Sequence, residues 1–374
     1  MISQSQDPVV VADSFDVRNG WDVQDMKAEW MDFVASRFPG HIFRDYPWSH
    51  AWWQAYATGD KVRIFLLREQ DSRSTVGVLP FRISRGTFSG FPVRRLELLG
   101  RGIGCEDLLI DPDYLEYSKK ALADILRGMK WDVATFSNLR NPAGTRMLSS
   151  AATHSGFGVE IKESSWLDIS TSGEFETYLK SRSSNLRRNY RAAQRRSESI
   201  GKLSFERCDL ATVSRTKLAS ARTIAEQGWQ YRLGGSHFRR VGQKSLIEIL
   251  SDPTNDLPGT CELRLLRIGS SDAALNFGVV NGDRWEGLEV AHLDKFAHCS
   301  PGMVLLLHVI EQMFEDPQIE HLVLGASGGY KDRLSTRAEP VDNLVLFRNS
   351  HYGKLITLFK RSALYGALKR RRKS

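Results

Sequence analysis

The chain of 374 residues carries 52 Lys and Arg against 44 Asp and Glu, a net charge of +8, and 41% of it is hydrophobic. Its length exceeds what one core usually fills, so two domains are expected. No apolar run nears the roughly 18 residues of a membrane-spanning helix, and residues 1–16 are polar and acidic rather than leader-like. Cys105, Cys208, Cys261 and Cys299 lie far apart with no Cys-x-x-Cys, which argues against a zinc site or a disulfide framework and for a cytoplasmic protein.

Apolar periodicity predicts an amphipathic helix over 23–38 and an aromatic one over 49–56. A hairpin follows, 62–68 with 76–83 around the polar loop 69–75. Strands at 95–99 and 107–110, a helix at 114–128, a strand at 133–136 and an extended run at 159–169 close the first half. The second half opens with helices at 174–181 and 183–200. There the stretch 177–197 holds Lys180, Arg182, Arg187, Arg188, Arg191, Arg195 and Arg196 without one acid. A strand at 203–207 and helices at 211–227 and 238–250 lead to a hairpin, 261–268 with 273–281, turning on Gly269-Ser270-Ser271-Asp272. Strands at 284–291, 321–324 and 343–348 and a helix at 303–314 complete the pattern. Beyond residue 350 lie eight Lys and Arg and no acid, with Leu355, Leu358, Phe359, Leu364 and Leu368 at roughly helical spacing. The two basic stretches hold fifteen positive charges, so the remainder sums to −7. This is an acidic body with two basic patches, unlike the uniformly basic chain of a nonspecific nucleic-acid binder.

Both halves run in one order: helices, a hairpin, a further strand, a helix, a strand. Each is expected to form an α/β unit with a mixed, mostly antiparallel sheet flanked by helices. The expected boundaries are an N-terminal tail at 1–20, domains at 21–170 and 171–350, and a basic helix at 351–374.

Several short motifs follow one another in a distinctive sequence: Trp48-Ser49-His50-Ala51-Trp52-Trp53, Val78-Leu79-Pro80-Phe81, Glu97-Leu98-Leu99-Gly100 running to Asp107, and Ser184 through Arg191. Ser300-Pro301-Gly302 and Gly325 through Tyr330-Lys331 come last. Over residues 20–350 the chain resembles the tandem acyltransferases of the GNAT superfamily, of the CelD/BcsL type, related to the FemAB peptidyltransferases. The resemblance implies two GNAT-like domains, an acyl-CoA donor (acetyl-CoA first among them), and donor binding in the second domain.

The Ser300-Pro301-Gly302 turn reads as a helix start whose first N–H groups point outward, a seat for phosphate or pyrophosphate. The resemblance puts the donor at this place, on Ser300, Gly302, Met303, Val304 and Gly325. The usual Arg/Gln-x-x-Gly-x-Gly/Ala signature is absent here, as is the family's acid before Gly325, where Val323-Leu324 stand. Lys331 follows a Gly-rich strand exit; with Tyr330 it matches an aromatic-Lys pair that lies near the reacting groups in Fem-like relatives, and its ammonium could stabilise an oxyanion. Glu289 and His292 are candidate bases at the end of one strand, and alternation lets at most one of them face a cleft. Backbone N–H groups around residues 290–293 would polarise the donor carbonyl.

Leu186, Tyr190 and Ala193 share a helical stripe, which leaves Arg187, Arg191 and Arg195 as a basic ridge, either a solvated face or a seat for an anionic substrate. Trp229 and Tyr231 match an aromatic position of the relatives and could line the acceptor site. The basic tail could lie on an anionic membrane surface. The expected activity is transfer of an acyl group to an amine or hydroxyl of a polysaccharide or cell-envelope precursor, with no metal. A Fem-like aminoacyl-tRNA transferase and a catalytically silent accessory protein of exopolysaccharide synthesis are the alternatives. Gly325-Ala326-Ser327-Gly328-Gly329 with Asp332, Asp342 and His351 also fits the serine-hydrolase order, but only one strand follows it.

Overall fold

The computed structural model describes residues 7–17, 24–40, 42–57, 59–102, 104, 106–255, 257 and 259–361. Cys105, Leu364, Leu368 and the tail's last six basic residues but one (Arg361 alone is inside) therefore lie outside the described residues. In chain order the first elements are β1 (Val10–Val17), α1 (Gln24–Arg37), α2 (Tyr46–Tyr56), β2 (Lys61–Glu69), β3 (Thr75–Phe88), β4 (Phe91–Leu98) and β5 (Leu109–Ile110). Next come α3 (Leu115–Gly128), β6 (Val133–Leu139), α4 (Pro142–His154), β7 (Gly158–Ser170), α5 (Phe175–Ser181), α6 (Ser184–Ile200) and β8 (Leu203–Asp209). The chain continues through α7 (Arg215–Glu226), α8 (Trp229–Arg232), α9 (Leu246–Leu250), β9 (Thr260–Ile268), β10 (Ser271–Asn281) and β11 (Arg284–His292). It ends with α10 (Pro301–Glu315), β12 (His321–Ala326), α11 (Lys331–Leu334), β13 (Arg337–Phe347) and α12 (His351–Arg361).

These elements form two compact units. One holds Met1–His50, Ala57–Ser164 and Pro340–Ser374; the other holds Ala51–Tyr56 and Ser165–Glu339. The divisions thus fall at 50/51, 56/57, 164/165 and 339/340, where the expectation had 170/171 and 350/351. The reason lies in β13: its residues from Asp342 to Phe347 pair antiparallel with Leu139 to Val133 of β6, so the last strand of the chain completes the first unit's sheet.

In the first unit the strands run β1-β2-β3-β4-β6-β13, antiparallel except for the β4–β6 pair, with β5 beside β3. The α3 helix supplies the crossover that a parallel pair requires, and its Leu122, Ile125 and Leu126 enter a core with Leu79, Phe81, Leu96 and Phe136. Trp131 anchors the return: its ring is fully buried and its Nε1–H donates to Leu126 O at 2.8 Å. The parallel contact is short, Arg95↔Val133 and Leu96↔Ala134. Just beyond it Glu97, wholly buried, bridges the two strands by accepting from Thr135 Oγ1 at 3.3 Å and from Arg82 Nη2 at 2.7 Å, with Arg101 also paired to it.

In the second unit the order is β7-β12-β11-β10-β9-β8, and again one pair, β11–β12, is parallel. Its crossover, α10, is apolar nearly all round: Val304, Leu305, Leu306, Leu307, Val309, Ile310 and Met313 are buried. Such a helix must be covered on both sides, and it lies between β9–β11 and the helices α5 and α6. The predicted stripe of α6 docks there through buried Leu186 and Ala193 with half-buried Tyr190.

Several elements differ from the sequence expectation, the short helices α8 and α11 among them. α4 was not expected, although Asn141 caps it through Ala143 N and Gly144 N, with Pro142 at its first position. β1 was read as tail. The helix expected over 238–250 is only α9, because the capping box of Ser245 and Glu248 starts the helix there. Upstream, Gly242 lies against the α2 backbone, where a Cβ would stand 3.4 Å from Gln54 O.

Candidate active site in the second unit

β11 and β12 pair over three residues only: Arg284↔His321, Trp285↔Leu322 and Glu286↔Val323. Each then carries a bulge. Leu288 is skipped in the β10–β11 register, and Leu324 in the β12–β7 register. A bulge bends its strand and raises the local twist, so the two strands part at this level. The gap holds a cavity of about 70 Å³ whose lining includes Trp229, Gln230, Asn276, Glu289, Tyr330 and Lys331. The same step in the first unit is closed by Glu97 and its partners. That unit has a larger groove, about 650 Å³, but there the charged side chains are spoken for, Arg63 paired with Asp16 and Asp60 with Arg82.

Glu289 stands opposite Phe277 across the β10–β11 ladder, on the face that also holds His237, whose ring meets Phe277 edge-on. It is 2% exposed. Its Oε2 accepts the His237 N–H at 2.8 Å, while Oε1 has no partner among the described residues. Burial raises the Glu289 carboxyl to about 7, against the opposing pull of the Ser236 hydroxyl and the His237 N–H. His237 is pushed down to about 4 by burial, so it is neutral at physiological pH. Tyr56, at the end of α2, has its hydroxyl shifted upward by burial and by the charge of Glu289.

Lys331 begins α11 after the Gly-rich exit from β12. Burial lowers its pKa, with Asp332 opposing. Gly325 has φ of 84°, and a Cβ there would stand 3.6 Å from Lys331 Nζ, so glycine answers both the backbone and the ammonium's need for room. Tyr330, mostly buried, has its hydroxyl raised by that burial. Gln230 clips the β11 bulge: its Nε2 donates to Leu288 O at 3.1 Å and its Oε1 accepts from Val290 N at 3.2 Å.

The residues anticipated from sequence fall into three groups. Lys331, Glu289, Tyr330 and Trp229 come together around the cavity, Trp229 with 56% of its surface still exposed. His292 is on the other face of β11, where its Nδ1 would be 3.6 Å from a Cβ on Gly302, so it belongs to the α10 end. Arg187 and Arg191 are on the outer side of α6 and not around the cavity; Arg187 Nη1 donates to Lys180 O. Tyr231 is half-buried in α8 and likewise outside the cavity lining.

Two details correct the donor-side expectation. The start of α10 is not a row of open N–H groups, because Ser300 O already accepts from Met303 N at 3.0 Å and Val304 N at 3.3 Å, and Pro301 has no N–H. Gly302 supplies the remaining open donor among the described residues. Of the N–H groups over 290–293, two are already engaged: Val290's goes to Gln230 and Leu293's to Ala273 O at 2.9 Å. The hydrolase pattern also fails, since Ser327 Oγ donates to Asp332 Oδ1 at 2.5 Å and has no histidine partner among the described residues. One cluster of ligand-type atoms, Asp283, Glu320 and His321, lies within 4.8 Å at the far end of the β11–β12 pair from the cavity.

Asn276, Gln230, His237 and Tyr56 were missed. Asn276 was visible as a lone amide inside the apolar run Ala273-Ala274-Leu275-Asn276-Phe277, and Gln230 sits between two residues that were chosen. His237 and Tyr56 carry no local signal, because the tertiary fold alone brings them to Glu289.

Residues 184–332 match the family model described as Acetyltransferase (GNAT) domain, and this stretch contains every lining residue named above. FemX is similar to the chain at 13% identity and a TM-score of 0.54, over 93% of this chain and 100% of that one. The fold is of the GNAT type. The C-terminal domain (DUF2156) of a lysylphosphatidylglycerol synthetase from Agrobacterium fabrum shares this GNAT-type fold at 13% identity and a TM-score of 0.52, covering 88% of this chain and 96% of its own. A tandem GNAT protein from the clavulanic acid biosynthesis pathway does so at 10% identity and a TM-score of 0.50, with 90% and 98% covered. No curated protein matches the sequence. Among the described residues no helix is long and apolar enough to cross a membrane.

Proposed function

We propose that the second unit transfers an acyl group from an acyl-CoA to an amine or hydroxyl of a polysaccharide or cell-envelope precursor. The observation that carries this reading is the cavity in the β11–β12 gap, with Glu289 and Lys331 both in its lining. The donor thioester would enter from the α10 side, near Gly302 and His292, and the acceptor from the side of Glu289, Tyr56 and Trp229. The acceptor nitrogen or oxygen attacks the thioester carbonyl carbon as its proton passes to Glu289, the C–S bond breaks, and the CoA sulfur leaves and is reprotonated. A carboxylate with a pKa of about 7 is matched to that proton transfer at neutral pH. With the Val290 N–H engaged by Gln230, Lys331 is the cationic group in the lining that would stabilise the carbonyl oxygen. The order of short motifs supports the CelD/BcsL branch of the superfamily.

A thermal-shift screen of acyl-CoAs against the wild type and Lys331→Ala tests the reading. Stabilisation of the wild type by at least one acyl-CoA is expected, and a flat response to all of them would end it. For Lys331→Ala we expect binding to persist and turnover to fall about a hundredfold or more.

The exposed Arg191 and Arg195 of α6 favour one alternative, a Fem-like transferase using aminoacyl-tRNA. Its signature would be tRNA binding that weakens steeply with salt and is lost in Arg187→Ala/Arg191→Ala.

A further inference from the structure

Asn276 occupies the middle of β10 with no exposed surface, and neither its Oδ1 nor its Nδ2 has a partner among the described residues. Trp285 Nε1, also fully buried, has none either. Buried amides and indoles are nearly always hydrogen-bonded, so a pair left open beside a cavity points to something that fills it. Register explains how the two meet the same cavity. Asn276 is opposite Val290, and Gly278 is opposite Gly287. A Cβ on Gly278 would be 2.3 Å from the Trp285 ring and one on Gly287 2.8 Å, so the two glycines make the space the indole fills. Amide and indole thus share the sheet face that looks toward α10, whose Leu306 is also in the lining. Glu289 stands on the opposite face.

We propose that Asn276 and Trp285 select the transferred group, and that this group is a short acyl chain bearing a hydroxyl. This inference rests on the acyl-CoA reading above. A hydroxyl can donate to Oδ1 and, with its two lone pairs, accept from both Nδ2 and the indole N–H, which answers all three open atoms. A plain alkyl chain would leave every one of them unmet. An ammonium could use only Oδ1 and would face the Lys331 charge across the cavity. Size limits the chain as well: about 70 Å³ is on the order of five water-sized positions, enough for a two- to four-carbon group.

The test compares two nearly isosteric donors, hydroxyacetyl-CoA and propionyl-CoA, by calorimetric titration of the full-length protein. The wild type is expected to bind hydroxyacetyl-CoA at least tenfold more tightly. Asn276→Leu and the smaller Asn276→Ser should bring the ratio near one while leaving the affinity for free CoA unchanged, and Trp285→Phe should lower the ratio severalfold. The Ser variant guards against a Leu variant that does not fold. If the wild type binds both donors tightly but equally, a resident water satisfies the amide and the selectivity proposal falls alone. If both variants keep the wild-type ratio, it falls as well. If neither these donors nor acetyl-CoA binds, the acyl-CoA reading falls with it.

Discussion

Glu289 draws its chemistry from two opposed demands. Its burial disfavours the charged form, yet His237 N–H and Ser236 hold one side of the carboxylate in place. Activity should therefore rise with pH through an apparent pKa near 7 and then level off, because the base must be ionised. Stability should run the other way. The folded pKa lies above the unfolded value, so between about 4.5 and 7 the native state binds more protons than the unfolded one, and stability falls as pH rises across that window. Glu289→Gln removes the cost of the buried charge. We expect it to unfold at higher denaturant than the wild type at pH 8, by up to about 3 kcal/mol, and to match it near pH 5. The same variant should lose about two to four orders of magnitude in kcat. Unfolding curves at the two pH values, with a pH–rate profile, decide it: equal wild-type and variant stability at pH 8 would show that the carboxyl is not raised.

At the scale of the element, the entry to α10 stores strain. Ser300 holds φ of 51° and ψ of 52°, the left-handed region, and its hydroxyl makes no capping bond. A side chain there has a steric cost, with no capping bond to set against it. Ser300→Gly should stabilise the protein by about 1 kcal/mol, and the β-branched Ser300→Val should destabilise it by at least as much. Chemical denaturation of both variants checks the sign, and loss of stability in the Gly variant would refute the argument. The same turn shows what sequence could and could not reveal. Ser300-Pro301-Gly302 marked the helix start correctly, since Pro fixes φ and lacks an N–H. It could not show that Ser300 O would also take the Met303 N–H, because that depends on how the turn closes. Elements with strong local signals, the two hairpins, α3, α6 and α10, were legible for this reason. Within the site, Lys331 and Glu289 could be singled out by residue type and position in a strand or loop. The bulges at Leu288 and Leu324, which open the cavity, leave no mark in periodicity, and neither does the Gln230 clip that closes the β11 backbone.

At the scale of the whole molecule, the repeated order of elements builds the same parallel step in each unit and finishes it differently. In the first unit Glu97 gathers Arg82, Arg95, Arg101 and Thr135 at the point where the second unit has its cavity. Glu97→Ala should leave those arginines facing a buried gap and cost about 3 kcal/mol of stability. Acyl-CoA affinity should not change, because the proposed donor site lies in the second unit; a variant that folds but loses the donor would reverse the assignment.

The surface of the first unit carries the last prediction. α12 turns Ile356 inward, wholly buried, with Tyr352 and Phe359 set edge-on to Phe91. Tyr352 Oη also donates to Pro92 O at 2.7 Å, so the helix is fixed to its unit on one side. Its other side shows Leu355 and Leu358, 50% and 71% exposed, next to exposed Lys354, and the sequence beyond adds Lys369, Arg370, Arg371, Arg372 and Lys373. Two leucines buried in a headgroup layer, with about 1 kcal/mol from each basic residue near an anionic surface, are enough for reversible attachment. Full-length protein should sediment with vesicles that are about one-third phosphatidylglycerol at roughly 0.1 M salt and be released at roughly 0.5 M, where screening shortens the reach of the charges. Leu355→Asp/Leu358→Asp should abolish sedimentation at the lower salt with little change in stability, since Leu355 is half exposed and Leu358 more so. Binding to purely zwitterionic vesicles as strong as to anionic ones, or no change in the double variant, would remove the membrane from the account and leave the basic tail as a solvated end.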